Sequence, residues 1–247
     1  MKVCFLTNNL NEDSGWGRYS WQVINRIKNN PDIDVVVLTE KDSEIAKPVL
    51  KKASRSLISL FLNVFRARKH IKESDVVHCF DAYPYGVIGA LANIGLNKKL
   101  IINGVGTHSV LPLERFFKKS LLKWTYRQAK YVPCISSFTQ KEILKRVDLD
   151  NTQVVHLGVD FSDFQKRPKN ADKKDKTILG VGALKERKGY HISIAATAIL
   201  KDFYPDFKYY IVGSQGNKEY FNKLKKIVDK YKLNKNIIFL KDVSNND

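Results

Sequence analysis

Short apolar runs alternate along the chain with longer segments whose apolar residues recur at helical spacing. The apolar runs, rich in strand-forming residues, lie at 3–7, 35–39, 76–80, 99–103, 130–135 and 153–157. The helical segments lie at 16–28, 57–71, 85–94, 113–128 and 139–147. Fully apolar strands separated by amphipathic helices are typical of βαβ units around a buried parallel sheet. Right-handed crossovers then predict an α/β, doubly wound, Rossmann-like domain.

The composition changes at residues 167–176, which read RPKNADKKDK and predict a linker. After it the alternation restarts, with strands predicted at 177–181, 208–212 and 236–240 and helices at 190–201 and 219–231. The sequence therefore predicts a first domain at 1–166, the linker at 167–176 and a second domain at 177–247. A doubly wound nucleotide-binding domain built of two halves has about six strands. The second Rossmann-like domain is therefore expected to be incomplete.

The charge of the chain is strongly unbalanced. Lys and Arg number 43 against 25 Asp and Glu, a formal net charge of +18. Such a surplus favours polyanions, among them nucleic acid, anionic lipid headgroups and phosphorylated substrates, although solvated lysines on helix faces explain it equally well. No helix-turn-helix, zinc or RNA-recognition signature accompanies the charge, so we expect no specific nucleic-acid partner.

Cysteine usage and the amino-terminal sequence indicate the cellular compartment of the protein. The three cysteines, Cys4, Cys79 and Cys134, lie far apart inside apolar segments and predict buried free thiols, with neither a disulfide framework nor a zinc site. Residues 2–7 resemble a strand and not a secretory leader, and no run reaches the ~18 apolar residues of a transmembrane helix. We therefore expect a cytoplasmic protein.

Two glycine-containing segments of the first domain follow predicted strands. Gly15 and Gly17 stand between the first strand and a helix, where a close backbone approach and the helix N-terminus could bind a phosphate. A plain tight turn explains them equally well. His108, in the segment 104–109, follows the fourth strand, and ligands of open α/β sheets bind beyond the carboxyl ends of strands. A solvated surface histidine is the alternative.

A third segment, residues 180–189, combines a strand end, glycines and a cluster of cations. Arg187 and Lys188 stand just before Gly189 and a predicted helix. Cations at the mouth of a parallel sheet suit a diphosphate. A solvated charged turn is the alternative. Two Asp-x-Asp pairs, at 32–34 and 148–150, precede strands and are interpreted as turns, so no metal site is predicted.

Five segments in register resemble the GT4 glycosyltransferases, which have the GT-B fold. They are the Ser14–Arg18 turn, the Thr107-His108 pair, Ile135–Thr139 (ISSFT), Gly158-Val159-Asp160 with Phe164, and Val181–Leu184 followed by Lys188-Gly189. Leu157 stands where the family usually has Asn. Ile211-Val212-Gly213 resembles the next strand end. The resemblance extends from residue 1 to about residue 243.

The resemblance implies an enzyme that moves a sugar from a nucleotide-sugar donor to a glycan or lipid-linked acceptor with retention of the anomeric configuration. The first domain would hold the acceptor and the second the donor. Lys188, helped by Arg187, would bind the donor diphosphate, and the turn at Gly15 and Gly17 would face that diphosphate. His108 would lie near the transferring sugar. No metal cofactor is expected, because Lys188 and helix N-termini would supply the positive charge.

The sequence departs from the family pattern in two places. Ala183 stands where many members have a diphosphate-binding Arg, a contact that Lys185 or Arg187 could replace. The family's acidic donor motif, two Glu separated by seven residues, would lie after Asp247 and is absent. A second hypothesis is therefore a catalytically incomplete GT-B scaffold that binds an acceptor or a partner. A nucleotide-sugar epimerase of the same scaffold is a third, which the glycine turns and the interdomain signature disfavour.

Residues 116–127, FFKKSLLKWTYR, mix aromatic residues with cations. Such a helix can lie on an anionic membrane with its apolar face down. Burial of the same aromatic residues in the core is the alternative. Together with the net charge, this segment predicts peripheral contact with the inner face of a membrane.

Overall fold

The structure is a computed structural model that describes residues 1–12, 14–52, 57–159, 176–241 and 243. It divides into two compact units, Met1–Val159 and Asp160–Asp247, each described by itself below. Residues 167–175 of the predicted linker lie outside the described residues, as do Asp160 and Phe164 of the family-like signature. The domain boundaries inferred from the sequence therefore stay a prediction.

The first unit is built on parallel strands. Strands β1 (Lys2–Leu6), β2 (Asp34–Leu38), β3 (Val76–Cys79) and β4 (Lys99–Ile102) form a sheet in the order β2-β1-β3-β4. Strands β5 (Val132–Cys134) and β6 (Thr152–Val154) pair in parallel, and single bridges join residue 101 to 131 and residue 104 to 134, so β5 lies beside β4. The strand order reverses between β1 and β3, which confirms the doubly wound topology predicted from the sequence.

Among the described residues of this unit, six α-helices connect the strands: α1 (Gly15–Lys28), α2 (Leu57–Ile71), α3 (Val87–Asn93), α4 (Gly106–Val110), α5 (Phe116–Gln128) and α6 (Ser137–Leu144). Alternate residues of β1 enter two different cores. Val3 and Phe5 pack with Ile24 of α1, whereas Cys4 and Leu6 pack with the residues of α2 and α3. Burial of both faces explains why the strands are apolar throughout.

Two predicted helices differ from the structure. The predicted helix at 85–94 is a π-type turn, Ala82–Gly86, followed by the shorter α3. The predicted helix at 113–128 is a 3-10 turn, Leu111–Glu114, followed by α5. Arg115 between them is extended, with φ −90° and ψ 122°, so the two helical segments cannot be continuous.

The second unit repeats the architecture on a smaller scale. Its described strands β7 (Thr177–Val181), β8 (Lys208–Val212) and β9 (Ile237–Leu240) are parallel and ordered β7-β8-β9. Helices α7 (Tyr190–Phe203) and α8 (Lys218–Lys230) pack on them through a separate apolar core that includes Ile194, Ile211 and Leu224.

The structure also tests the expectations of free buried cysteines and of no transmembrane helix. The three cysteines are buried free thiols, as predicted, and burial raises the pKa of the Cys4 thiol to about 12. Among the described residues, no helix combines the length and the apolar character needed to cross a bilayer.

Candidate functional site

The carboxyl ends of β1, β2, β3 and β4 meet around a cavity of about 520 Å³ within the first unit. This volume lies in the usual range of small-ligand sites. Its wall includes Asn8 after β1, Glu40 after β2, Asp81 after β3 and His108 after β4. The cavity thus lies beyond the carboxyl ends of parallel strands, where ligands of open α/β sheets bind.

His108 lies in the wall of this cavity, on the short helix α4 and not in a loop. Its imidazole packs edge-on against the Trp16 indole, with 5.6 Å between the ring centroids. The helix is held by its neighbour Ser109, whose hydroxyl accepts a hydrogen bond from the Val105 N–H (2.8 Å) and whose carbonyl accepts one from the Tyr126 hydroxyl (2.9 Å). The hydrogen bonds of Ser109 thus fix the backbone at His108, while His108 itself is exposed.

Gly15 and Gly17 belong to the first turn of α1 and do not form a separate glycine turn. The Ser14 hydroxyl caps this helix by accepting the Gly17 N–H at 3.0 Å. A Cβ on Gly17 would lie 2.2 Å from the Asn11 carbonyl oxygen, whereas one on Gly15 would meet no atom of the described residues within 4 Å. Close packing of the preceding loop therefore accounts for Gly17, and the contact of both glycines with a phosphate stays a prediction.

Two carboxyl groups that the sequence analysis did not select lie in the cavity. The Tyr85 hydroxyl donates to Glu40 Oε1 at 2.7 Å, and Asn8 Nδ2 donates to Glu40 Oε2 at 3.2 Å. The Asp81 carboxylate accepts the Tyr85 N–H at 3.1 Å. Burial raises the pKa of Asp81 well above its ordinary range, and the nearby Glu40 charge raises it further. Both residues follow a strand directly, so the rule that selected His108 would have identified them.

Cations surround the same cavity. Lys52, Arg115 and Lys118 line it, and Lys118 Nζ lies 3.8 Å from the centroid of the Tyr83 ring. Lys52 and Arg115 are exposed, so their charges are available to an incoming ligand. A cavity with carboxyl groups inside and cations at its edge can bind hydroxyl groups and an acidic group of the same molecule.

In the second unit, Lys188 folds back over the turn that follows β7. Its Nζ lies 3.8 Å from the position a Cβ would take on Gly182, a residue with φ +149°. Gly213, after β8, contacts this turn so closely that a Cβ there would lie 2.1 Å from the Gly182 carbonyl oxygen. The two glycines thus allow the segments after β7 and β8 to pack against each other at the carboxyl ends of these strands, with the Lys188 ammonium group beside Gly182.

Arg187 shares a 3-10 turn, Glu186–Lys188, with Lys188 but lines a neighbouring hollow together with Ala183 and Ser214. It is exposed, as is Lys188. The structure therefore brings Lys188 to the glycine turn and places Arg187 beside it. Among the described residues, no group of three or more His, Cys, Asp or Glu side chains is arranged to hold a metal ion.

The aromatic residues of α5 are divided between the core and the surface. Tyr126 is fully buried and Trp124 packs against the core, as the alternative interpretation expected, whereas Phe116 is 86% exposed. The apolar side chains of α5 that face inward are therefore not available to a membrane.

Two sequence families match the chain. The profile of Glycosyltransferase Family 4 matches residues 14–163, and that of Glycosyl transferases group 1 matches residues 161–247. The first match alone covers more than half of the 247 residues. A search of curated protein sequences finds no significant match.

Solved structures resemble the whole chain at low sequence identity. Anabaena Alr3699/HepE in complex with UDP-glucose is 19% identical with a TM-score of 0.77, over 99% of this chain and 70% of that one. A glycosyltransferase from Rickettsia africae is 17% identical (TM-score 0.73, 99% and 69%). The UDP-GlcNAc 2-epimerase from Neisseria meningitidis is 13% identical (TM-score 0.64, 99% and 73%). Because transferases and an epimerase share it, the fold alone does not separate these two activities.

Proposed function

The chain belongs to glycosyltransferase family 4, and from that premise we propose that it moves a sugar from a nucleotide-sugar donor to a glycan or lipid-linked acceptor with retention of the anomeric configuration. The family match carries the proposal, because the fold by itself is shared with an epimerase. The related Anabaena structure holds UDP-glucose, so UDP-sugars are the first donors to test.

The donor diphosphate would bind in the second unit, at the turn formed by Gly182 and Gly213. This turn lies at the carboxyl ends of β7 and β8, where ligands of parallel sheets bind, and Lys188 Nζ lies beside Gly182. Arg187, in the adjoining hollow, would add a second cation. As the bond from the anomeric carbon to the phosphate breaks, negative charge grows on the departing nucleoside diphosphate, and fixed cations stabilise that charge. In this proposal the two side chains take the role that a metal ion has in other transferases.

The acceptor would bind in the cavity of the first unit, where Glu40 and Asp81 can pair with its hydroxyl groups. His108 forms part of the same wall and would contact the transferring sugar, whose ring becomes positively charged in the transition state. Lys52, Arg115 and Lys118 favour an acceptor that carries a phosphate or another acidic group. Gly15, in the exposed first turn of α1, would contribute its N–H to a phosphate.

A catalytically incomplete scaffold that binds an acceptor or partner is the second candidate function. Two observations favour testing it: the chain spans about 70% of the length of the Anabaena structure, and the described residues of its second unit form three strands. Binding and turnover distinguish the two candidates, because a scaffold for the acceptor needs no donor.

Donor binding is measured by isothermal titration of the full chain with UDP, GDP and ADP. We expect one of the three to bind, and Lys188→Ala to weaken its affinity about tenfold or more, the equivalent of one charge-assisted hydrogen bond. Lys226→Ala, which removes an exposed lysine of α8, is the matched control and should bind normally. Equal affinity of the Lys188→Ala protein, or no binding of any of the three nucleotides, would contradict the donor site.

Peripheral contact with an anionic membrane at the cytoplasmic face is a further part of the proposal. It is supported by the net charge of +18 and by the cations at the acceptor cavity.

A further inference from the structure

Helix α2 presents an apolar stripe to solvent. Ile58, Phe61, Leu62 and Phe65 are between 46% and 74% exposed. Their spacing of three, four and seven residues places them on one face of the helix. A surface helix of a globular protein usually carries polar residues on its outer face. A contiguous exposed patch of large apolar side chains instead marks a contact surface.

The opposite face of α2 is already used by the core. Leu60, Ala67 and Ile71 are buried in the main apolar cluster of the first unit. The helix is therefore anchored on one side and apolar on the other. Neither rotation nor partial unfolding of α2 could bury the exposed stripe without exposing these core residues.

The charge around the stripe selects its partner. Among the described residues of 45–72, five lysines are exposed (Lys47, Lys51, Lys52, Lys69 and Lys72), and the segment contains no Asp or Glu. Lys69, one turn beyond Phe65 on the same face, is exposed, and so are Lys51 and Lys52 before the helix. An apolar stripe bordered by cations matches a surface of anionic headgroups over acyl chains. A second copy of the chain would bring the same cations together and be repelled.

Helix α2 is also tied to the acceptor cavity. The Lys51 N–H donates to Asn63 Oδ1 at 2.8 Å, and Asn63 Nδ2 donates back to the Lys51 carbonyl at 2.6 Å. The Ser59 hydroxyl donates to the Lys52 carbonyl at 3.0 Å. Because Lys52 lines the cavity, the amino-terminal half of α2 and the edge of the cavity form one connected piece of structure.

We propose that α2 docks the first unit on an anionic lipid surface. Ile58, Phe61, Leu62 and Phe65 enter the boundary between headgroups and acyl chains, while Lys51, Lys52 and Lys69 contact phosphates. The docking does not depend on the transferase activity. One consequence rests on the proposed function: a lipid-linked acceptor in the bilayer would reach the cavity beside Lys52 without leaving the membrane surface.

Sedimentation with lipid vesicles tests the docking. The 247-residue chain is mixed with phosphatidylcholine vesicles and with vesicles that contain phosphatidylglycerol, at low and at high salt. We expect binding to the anionic vesicles, and at least a tenfold lower partition coefficient for a Phe61→Ser, Phe65→Ser double variant. Because both side chains point away from the core, thermal unfolding of the double variant should match that of the wild type.

Two variants control for exposed apolar area elsewhere. Phe116→Ser removes the exposed aromatic residue of the basic helix α5, and Ile199→Ser with Phe203→Ser removes two exposed side chains of α7. Both should bind vesicles as the wild type does. Wild-type affinity of the α2 double variant would overturn the proposal, as would absence of wild-type binding. Analytical ultracentrifugation without lipid adds one more refutation: a dimer that the α2 variant dissociates would make this face an interface between copies.

Discussion

Burial changes the acid–base behaviour of Asp81. It lies just after β3 in the cavity wall and is only 3% exposed, with its carboxyl oxygen accepting the Tyr85 N–H and with Glu40 nearby. Removal from water disfavours the charged form, so the pKa of this carboxyl is raised and the neutral acid is favoured. A neutral acid can donate a hydrogen bond to an acceptor hydroxyl and does not repel an acidic group on the same acceptor.

The raised pKa of Asp81 predicts a pH-dependent effect of Asp81→Asn. Between its ordinary value of about 3.9 and its raised value in the folded protein, the folded state binds more protons than the unfolded state, so Asp81 lowers stability as the pH rises. The asparagine variant keeps the oxygen that caps Tyr85 and lacks this titration. Its stability relative to the wild type should therefore increase with pH, by up to about 1.4 kcal/mol per pH unit.

Urea unfolding of both proteins at pH 5 and pH 8 measures this difference. Asp206→Asn, which removes one exposed carboxylate in the second unit, controls for the change in net charge. If the free energies of unfolding of Asp81→Asn and wild type differ by the same amount at both pH values, the raised pKa of Asp81 is contradicted.

At the scale of elements, helix α1 depends on close contact with the loop before it. Ser14 caps the helix, and Gly17 lies against the backbone of Asn11. The sequence predicted the helix but assigned both glycines to a ligand. Spacing in a sequence cannot show that the preceding loop, around Asn9 and Asn11, packs over the start of the helix.

Gly17→Ala and Gly15→Ala form a matched pair that tests this packing. The added methyl at position 17 would overlap the Asn11 carbonyl, so we expect a loss of roughly 1–3 kcal/mol in the free energy of unfolding. The same change at position 15 meets open space, and alanine favours a helix over glycine by about 0.5–1 kcal/mol, so it should be neutral or stabilising. Equal effects in thermal unfolding would refute the packing argument.

Strands β1 and β3 were predictable from sequence because burial on both faces leaves them mostly apolar. Strands β7 and β8 begin and end at the predicted residues, and helix α2 does so as well. The breaks around α3 and α5 were missed. Arg115 is an ordinary helix former, but its extended backbone separates the Leu111–Glu114 turn from α5. This break accompanies the burial of Leu113, a tertiary effect that the local sequence does not show.

The candidate site was predictable only in part. Position after a strand identified His108, and the same rule applied consistently would have added Glu40 and Asp81. The exposed stripe of α2 could not be recognised in advance, because a helix with apolar residues on both faces resembles a core helix in sequence. The proposed membrane contact therefore lies on α2, whereas the sequence had suggested α5.

At the scale of the whole molecule, we propose that the first unit binds the acceptor, the second unit binds the donor and α2 binds the lipid surface. The net charge of +18 agrees with this assignment, because a diphosphate, an acidic acceptor and an anionic bilayer are all polyanions. Family membership supplies the reaction class, and the two clusters of cations supply the sites at which it would occur.

An assay of sugar transfer is the most direct test of the proposed reaction. The full chain is incubated with an α-linked UDP-sugar labelled with ¹³C at the anomeric carbon and with a panel of phosphorylated and neutral acceptors, and the product is read by NMR. We predict acceptor-dependent release of UDP, an α-configured product, and a rate at least a hundredfold lower for His108→Ala. Donor binding without transfer to any acceptor, or a β-configured product, would contradict the proposed retaining transfer.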